Sequence, residues 1–246
     1  MLKSLFAKAP NLSDLLSHLQ VDIHSHLLPA IDDGAKNLEN SLQLLKNMQL
    51  LGLEKWIITP HIITNVWDNN SNTIFEALDL LKNFLSENNT EFNVHAAAEY
   101  MMDHYFLEKL NSEKLLVLKD QMVLVEMSYI NPPIQLFDIL YEIQLQGYTP
   151  VLAHPERYQF YHNQTDKFEK LKKAGCLFQA NLASTVGYYG KGVSTCLDEL
   201  LKRDLIDFVG SDTHHQRHID SFLQKVAIKN YKKLEAIVDN TNRTFL

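Results

Sequence analysis

Short runs rich in aliphatic and β-branched residues recur along this chain, and longer stretches with apolar residues at helical spacing separate them. The short runs are Val21–His24, Lys55–Thr59, Asn93–Ala97, Val123–Glu126, Thr149–Ala153, Cys176–Asn181 and Asp207–Val209. Their length and composition predict strands. Helical periodicity falls at residues 38–51, 71–88, 103–110, 133–146, 165–174, 191–203 and 219–238. Seven strands alternating with helices predict parallel βα units and an α/β fold. The number of units and the 246-residue length suit a closed or nearly closed barrel, although the pattern alone is also compatible with a doubly wound sheet. Residues 1–20 form an extension expected to be helical, because Leu12, Leu15, Leu16 and Leu19 share helical spacing behind Asn11 or Ser13 as a cap. Residues 21–246 are expected to form one barrel domain. Pro132-Pro133 precedes a helix, where proline is tolerated, and does not mark a boundary.

Composition narrows the function classes. Apolar residues make up 46% of the chain and charged residues 22%, enough for a sizeable core and against whole-chain disorder. The net charge of −7 comes with no dense Lys/Arg block, which argues against nucleic-acid binding. Carboxylates that hold cations offer a second source for that acidity. Cys176 and Cys196 form no C-x-x-C pair and read as reduced thiols. The apolar patch within Met1–Pro10 is too short for a signal h-region, and no apolar run approaches the roughly 20 residues of a membrane span. A cytoplasmic protein without membrane insertion is expected.

Residues able to bind divalent cations sit at the ends of nearly all the predicted strands. His24 and His26 are two apart in Val21-Asp22-Ile23-His24-Ser25-His26, so on an extended chain they point the same way. Asp32-Asp33-Gly34 follows in the next loop. His61 follows the second strand, Glu99 follows the third, Glu126 ends the fourth and His154 follows the fifth. Asp212 and His214 follow the seventh, and the sixth ends in Asn181. Taken singly, each such histidine or carboxylate reads more simply as a hydrogen-bonded or solvated loop residue. Their regular placement is the signal, because parallel strands open their C-terminal ends on one face. Apolar flanks such as Leu124-Val125-Glu126 add to it, since burying a charge without a partner is costly. About nine donor groups, with one Asp of the 32–33 pair, suggest two or three ions at about four to six ligands each. Imidazole and carboxylate without thiolate suit Mn, Fe or Zn better than Mg or Ca.

These segments resemble the PHP (polymerase and histidinol phosphatase) superfamily. The match runs in order from Val21 to about residue 218, through Asp32-Asp33-Gly34-Ala35-Lys36, Thr59-Pro60-His61, Ala98-Glu99-Tyr100, Val125-Glu126-Met127, Ala153-His154-Pro155-Glu156-Arg157-Tyr158 and Gly210-Ser211-Asp212-Thr213-His214. Within that superfamily the chain is most similar to the bacterial CpsB/CapC-type tyrosine-protein phosphatases of capsule and exopolysaccharide synthesis. The resemblance implies a distorted TIM-like (β/α)7 barrel with three metal ions, often manganese. By it the ligands are His24, His26, Asp33, His61, Glu99, Glu126, His154, Asp212 and His214, with Asp33 preferred to Asp32. Arg157 would hold the substrate phosphate, and a second arginine would lie after the last metal histidine. That loop is short here, and Arg217 is the candidate. The twenty-residue extension is extra to the family pattern.

Ions that lower the pKa of bound water supply a nucleophile for phosphate monoester hydrolysis, with His154, Asp212 and Arg157 as the catalytic set. The planar fork of Arg157 suits a phosphate, although without the resemblance it reads as well as an ion-pair partner of Glu156. A tyrosyl leaving group has a pKa of about 10 and needs little protonation. The resemblance implies a phosphotyrosine protein as partner, the tail of a membrane tyrosine kinase of polysaccharide export. Two alternatives stand beside it: a small-molecule phosphatase such as histidinol-phosphate phosphatase, and a catalytically silent metal-binding regulator. A cysteine nucleophile is disfavoured, because Leu182 and Lys202 occupy the positions six after Cys176 and Cys196 where an arginine is needed. Gly187-Tyr188-Tyr189-Gly190-Lys191-Gly192 lacks the P-loop pattern and reads as a flexible loop near the site. Of His95, His104, His162, His215 and His218, most read as solvent-facing or packing residues, and His215 could reach the site from its loop.

Overall fold

The computed structural model describes residues 9–246. In chain order its elements are α1 (Leu12–Leu16), β1 (Val21–Asp22), α2 (Leu38–Gln49), β2 (Lys55–Ile58), β3 (His61–Ile62), α3 (Ser71–Glu87), β4 (Asn93–Ala96), β5 (Glu99–Met101) and α4 (Phe106–Ser112). There follow β6 (Met122–Glu126), α5 (Leu136–Leu145), β7 (Thr149–Ala153), α6 (Thr165–Lys173), β8 (Leu177–Asn181), α7 (Leu182–Thr185), α8 (Lys191–Lys202), β9 (Phe208–Gly210), α9 (Gln216–Ser221) and α10 (Lys233–Phe245).

All strand pairs are parallel, in the orders β1-β2-β4 and β3-β5-β6-β7-β8-β9. The second and third expected strands are each followed, after a break, by a further short strand that was not expected, β3 and β5. Pro60 has no N–H to give the ladder, so the second breaks at Thr59-Pro60. The third breaks beside it at Ala97-Ala98, and the backbone bonds Ala97 N to Ile58 O (2.8 Å) and Glu99 N to Pro60 O (3.1 Å) carry the pairing across. Beyond β9, Asp212 N donates to His24 O (2.7 Å) and His26 N to Thr213 O (2.9 Å), with Ser25 and Thr213 in a parallel bridge. Seven strand positions are thus linked into a distorted barrel.

Alternation along the strands divides the core. Trp56, Val123, Val125 and Leu152 face the helices and join the larger apolar cluster. Val21, Ile23, Ile57, Leu124, Val151 and Phe208 join a smaller cluster inside the barrel, which Phe245 of α10 closes at one end. Leu12, Leu16 and Leu19 are fully buried in the larger cluster. Of the helical stretch expected over residues 1–20, residues 1–8 lie outside the described ones; the helix within the rest is α1.

Helices depart from the expected limits in several places, α5 starting at Leu136 instead of 133, and in two of them a local reason is visible. α4 begins at Phe106 instead of 103, because the Asp103 carboxylate accepts the backbone N–H groups of Tyr105 (2.9 Å) and Phe106 (3.0 Å) at the turn before it. The stretch 219–238 is broken into α9 and α10. Between them Val226 N bonds to Pro10 O (3.0 Å) and Ala227 N to Thr185 O (2.8 Å), which competes with helical pairing.

Candidate metal and phosphate site

The C-terminal ends of the barrel strands gather His24, His26, Asp33, His61, Glu99, Glu126, His154, Asp212 and His214 into overlapping groups of potential ligand atoms. His24 and His26 lead. The His24 Nδ1 lies 2.6 Å from Gln179 Oε1, and the His26 Nδ1 lies 2.7 Å from Asp32 Oδ2. Each contact fixes a ring and leaves its Nε2 facing the cluster, the arrangement usual for metal-binding imidazoles. The two Nε2 atoms are 3.3 Å apart. Both lie 3.3–3.5 Å from Glu99 Oε2 and from Asp212 Oδ1. Ligands about 2.1 Å from a common ion stand roughly 3.0–3.4 Å from one another.

Glu99 links the rest. Its Oε1 is 3.0 Å from His154 Nε2, and its Oε2 is 3.0 Å from His61 Nδ1. The same His61 Nδ1 is 3.0 Å from Glu126 Oε1, yet neither carboxylate contact has hydrogen-bond geometry. Asp33 Oδ1 lies 3.3 Å from His214 Nε2 and 3.6 Å from His61 Nε2. His214 Nδ1 is 3.4 Å from Asp212 Oδ1.

Backbone strain helps assemble this cluster. His154 (φ 34°) and Asp212 (φ 50°) both adopt left-handed conformations, which cost non-glycine residues energy and concentrate at functional sites. Gly210 lets strands close up beneath it: a Cβ there would lie 2.7 Å from the Cβ of His24. Gly34 is tighter, since a Cβ would fall 2.0 Å from His26 O.

The charges oppose burial. Burial raises the Glu99 carboxyl, but His24 and His61 outweigh it and hold the group well below its usual range. Asp212 behaves likewise, with His24 the first of its offsetting charges. Burial and the neighbouring His26 depress His61, yet Glu99 and Glu126 hold it up at about 10. Among the described residues, Glu99 Oε2, Glu126 Oε1, His61 Nδ1 and His154 Nδ1 are buried without a hydrogen-bond partner. Orphaned donor atoms of this kind, three of them facing one another, fit divalent cations and fit poorly with a site that works empty.

Arg157 stands at the edge of the cluster. Its Nη1 donates to Asp212 Oδ2 at 2.8 Å, and its guanidinium carbon lies 4.7 Å from the ring centre of Tyr129 and 4.2 Å from that of Tyr189. Its chain neighbour Glu156 is turned away, accepting from Ser184 Oγ (2.7 Å) and Asn181 N (2.8 Å), so these two do not pair. A cavity of about 230 Å³ opens here, lined by Arg157, Tyr129, Tyr189, His215 and His218 together with donor residues. His218 is buried, and burial pushes its imidazole down to about 3. Arg217 is exposed on α9 and is not among the residues lining the cavity.

Several supporting residues escaped the sequence reading. The sixth strand supplies Gln179, which orients His24, and Asn181, whose Nδ2 donates to Asp212 Oδ2 at 2.6 Å. Polar residues two apart in the otherwise apolar Leu177-Phe178-Gln179-Ala180-Asn181 were the available signal. Asp32 is buried, with Oδ1 accepting Gly34 N (3.0 Å) and Oδ2 accepting His61 N (3.2 Å) besides holding His26. Tyr129 and Tyr189 come from separate loops, and no local pattern announces their joint contact with Arg157.

A parallel β/α barrel with a buried imidazole–carboxylate cluster at its strand ends defines the class of protein, a PHP-type barrel. The chain belongs to the family described as capsular polysaccharide synthesis, CpsB/CapC, whose sequence profile matches residues 20–241. It is 31% identical over 196 residues to the tyrosine-protein phosphatase YwqE of Bacillus subtilis (strain 168), covering 79% of this chain and 77% of that one. It is 28% identical over 238 residues to the tyrosine-protein phosphatase CpsB of Streptococcus pneumoniae, covering 92% and 98%. A chain from the crystal structures of these two proteins, described as unique metal-dependent tyrosine phosphatases, superposes with a TM-score of 0.76 at 28% identity, over 90% of this chain and 95% of that one. Histidinol phosphate phosphatase of Lactococcus lactis, in complex with zinc, L-histidinol and phosphate, shares the fold, with a TM-score of 0.57 at 15% identity over 90% and 93%.

Proposed function

We propose that this protein is a metal-dependent protein-tyrosine phosphatase that hydrolyses phosphotyrosine monoesters. The observation carrying the reading is the convergence of nine donor residues at the strand ends, of which Asp33, His61, His154, Asp212 and His214 line one small cavity with Arg157. His24, His26 and Asp212 would hold one cation, and His24, Glu99 and His154 form a group beside it. His61, Glu99 and Glu126, and His26, Asp33, His61 and His214, form further groups, so His24, His26, His61 and Glu99 are shared and two or three ions fit. The donor set suits manganese, with iron or zinc as alternatives. Bound ions would activate water and neutralise charge on the phosphoryl oxygens.

The chain's own residues do the rest. Arg157 is preset by Asp212 and by two aromatic faces, leaving its remaining N–H groups for phosphate oxygens. Preorganised donors of this kind act where charge develops in the transition state. Asn181 shares Asp212 Oδ2 with Arg157, so the carboxylate keeps its orientation. A phenolate leaving group, with a pKa of about 10, departs without a dedicated proton donor.

The physiological target we infer is the phosphorylated tyrosine-rich tail of a membrane tyrosine kinase of polysaccharide export, reached from the cytoplasm. The family's link to capsular polysaccharide synthesis supports this. Among the described residues no helix is long and apolar enough to cross a membrane.

Metal analysis of the purified protein, followed by turnover of a phosphotyrosine peptide and of histidinol phosphate with added manganese, tests the reading. The expected result is bound metal and preference for the peptide. Preference for histidinol phosphate would move the protein to the small-molecule class. Bound metal without turnover of any phosphoester would make it a silent regulator.

A further inference from the structure

Beside the donor cluster lies a second concavity of about 610 Å³, against about 230 Å³ for the cavity at Arg157. The strands fix how the two are related. β3, β5 and β6 are consecutive neighbours in the sheet. Each brings a donor residue to the cluster and, two positions further on, a residue to the second cleft: His61 then Ile63, Glu99 then Met101, Glu126 then Ser128. Two residues of extended chain span about 7 Å and return to the same side. The cleft therefore begins where the cluster ends. Ser128 lines the cleft, and the next residue, Tyr129, lines the cavity.

The character of the cleft differs from that of the cavity. Its walls are Ile63, Met101, Met102, Leu107 and Ile134, and none of its lining residues is a lysine or arginine. Asp103 is its one carboxylate, fixed by the backbone of Tyr105 and Phe106. At the rim, Ile134 is fully exposed and Ile130 is 84% exposed. Apolar side chains left in water around a concavity next to reactive groups mark a binding surface.

We propose that this cleft is the docking subsite for an apolar side chain flanking the phosphotyrosine of a protein substrate. The proposal rests on the phosphatase reading above and names what that substrate looks like. The smaller cavity has room for the phosphoryl group and its aryl ring, so the rest of a protein substrate must lie on the barrel rim. One or two residues of extended peptide cover the distance from cavity to cleft. Two methionines make the walls adaptable, so several apolar side chains can be accepted. The fixed carboxylate of Asp103, with no lysine or arginine among the residues lining the cleft, disfavours an acidic neighbour. Contacts remote from the reacting bond add binding that a small phosphoester cannot obtain.

The experiment compares p-nitrophenyl phosphate with three phosphotyrosine peptides that carry leucine, serine or glutamate next to the phosphotyrosine, using the manganese-loaded protein and its Ile134→Glu variant. Ile134 is exposed, so the substitution leaves folding intact. Expected is a KM at least about fivefold lower for the leucine peptide than for the glutamate peptide, with serine between. Ile134→Glu is expected to erase that preference while leaving p-nitrophenyl phosphate turnover unchanged. Turnover of all four substrates with equal KM values overturns the cleft alone. Turnover of none overturns the phosphatase reading and the subsite with it. Sedimentation of both variants closes the other route: a dimer that Ile134→Glu dissociates assigns this face to a second copy of the chain and overturns the proposal.

Discussion

The floor and the mouth of the barrel are built by the same strands and differ completely in character. In β6, Leu124 faces the barrel interior among Val21, Ile57 and Val151, and two residues later Glu126 faces the donor cluster. Ala97 and Glu99 repeat the step on the neighbouring strand, as do Ile57 and His61 four residues apart on the next. Below, side chains meet as hydrocarbon and their burial is favourable. Above, buried carboxylates and imidazoles meet, and burial opposes the charges of Glu99 and Asp212 at their centre. The floor therefore supplies stability and needs no ligand. The mouth draws on that stability to hold charges whose full compensation, in the function proposed above, comes from cations.

If this division is right, a substitution in one layer should leave the property of the other intact. The largest effect belongs to the mouth. Asp212→Ala removes contacts to three imidazoles, Arg157 and Asn181 at once, and phosphotyrosine turnover is expected to fall on the order of 10³-fold or more. Its far-UV circular dichroism should match the parent. Substantial residual turnover would remove Asp212 from the reacting centre. The reciprocal change is Leu124→Ala, which empties a fully buried floor position. A loss of about 2–5 kcal/mol of stability in denaturant titration is expected, with kcat on the folded fraction unchanged. A variant as stable as the parent would show that the floor does not carry the fold.

This layering explains what could be read from the sequence. A carboxylate or imidazole at the end of one apolar strand says little, but the same placement repeated on strand after strand does, so Glu99, Glu126, His154 and Asp212 stood out together. The choice between Asp32 and Asp33 was not available from pattern, since both follow the same strand; the buried one orients His26 and the half-exposed one faces His61 and His214. Arg157 and Glu156 are adjacent in sequence, and without the resemblance an ion pair between them was as good a reading as a phosphate-holding arginine. The short helical turn Pro155–Arg157 sends them in different directions, one to Asp212 and the other to Ser184. The break at Thr59-Pro60 was legible in the proline, whereas the matching break at Ala97-Ala98 follows only from being paired with it. Tyr129 and Tyr189 meet over Arg157 from positions sixty residues apart, a tertiary contact with no local signature.

The third expectation concerns protons. With Glu99 and Glu126 holding His61 at about 10, this imidazole keeps its proton at pH 7–8 when no ion is bound. A cation can use the nitrogen only after displacing that proton, so metal loading is expected to release protons and to tighten as pH rises from 7 towards 9. The same raised pKa means that the contribution of His61 to the stability of the metal-free fold is complete below the unfolded value near 6.5 and fades as pH climbs through about 10. Calorimetric titration of chelator-treated protein with manganese, in two buffers of different ionisation enthalpy, measures the proton count. A count of zero at pH 7.5 would mean that the cluster is already deprotonated. Loading should also raise Tm, by an amount equivalent to about 2.7 kcal/mol at a hundredfold excess over Kd.

The smallest expected effect lies at the seam between cluster and cavity, where Tyr189 covers one face of Arg157. Tyr189→Leu keeps bulk and removes the aromatic face, at a cost of about 0.5–2 kcal/mol for a partly desolvated cation–π contact. That corresponds to a rise in KM for phosphotyrosine peptide of roughly 2–30-fold at 1.4 kcal/mol per decade, with a smaller change in kcat because Asp212 still holds the guanidinium. Tyr189→Phe separates two origins of the effect. It retains the ring and loses only the hydroxyl that accepts from Asn181 Nδ2 at 3.2 Å. Near-parental KM in Tyr189→Phe assigns the role to the ring face. A loss equal to that of the leucine variant assigns it instead to the chain Tyr189–Asn181–Asp212, and Tyr189 would then act on the donor cluster, not on the arginine.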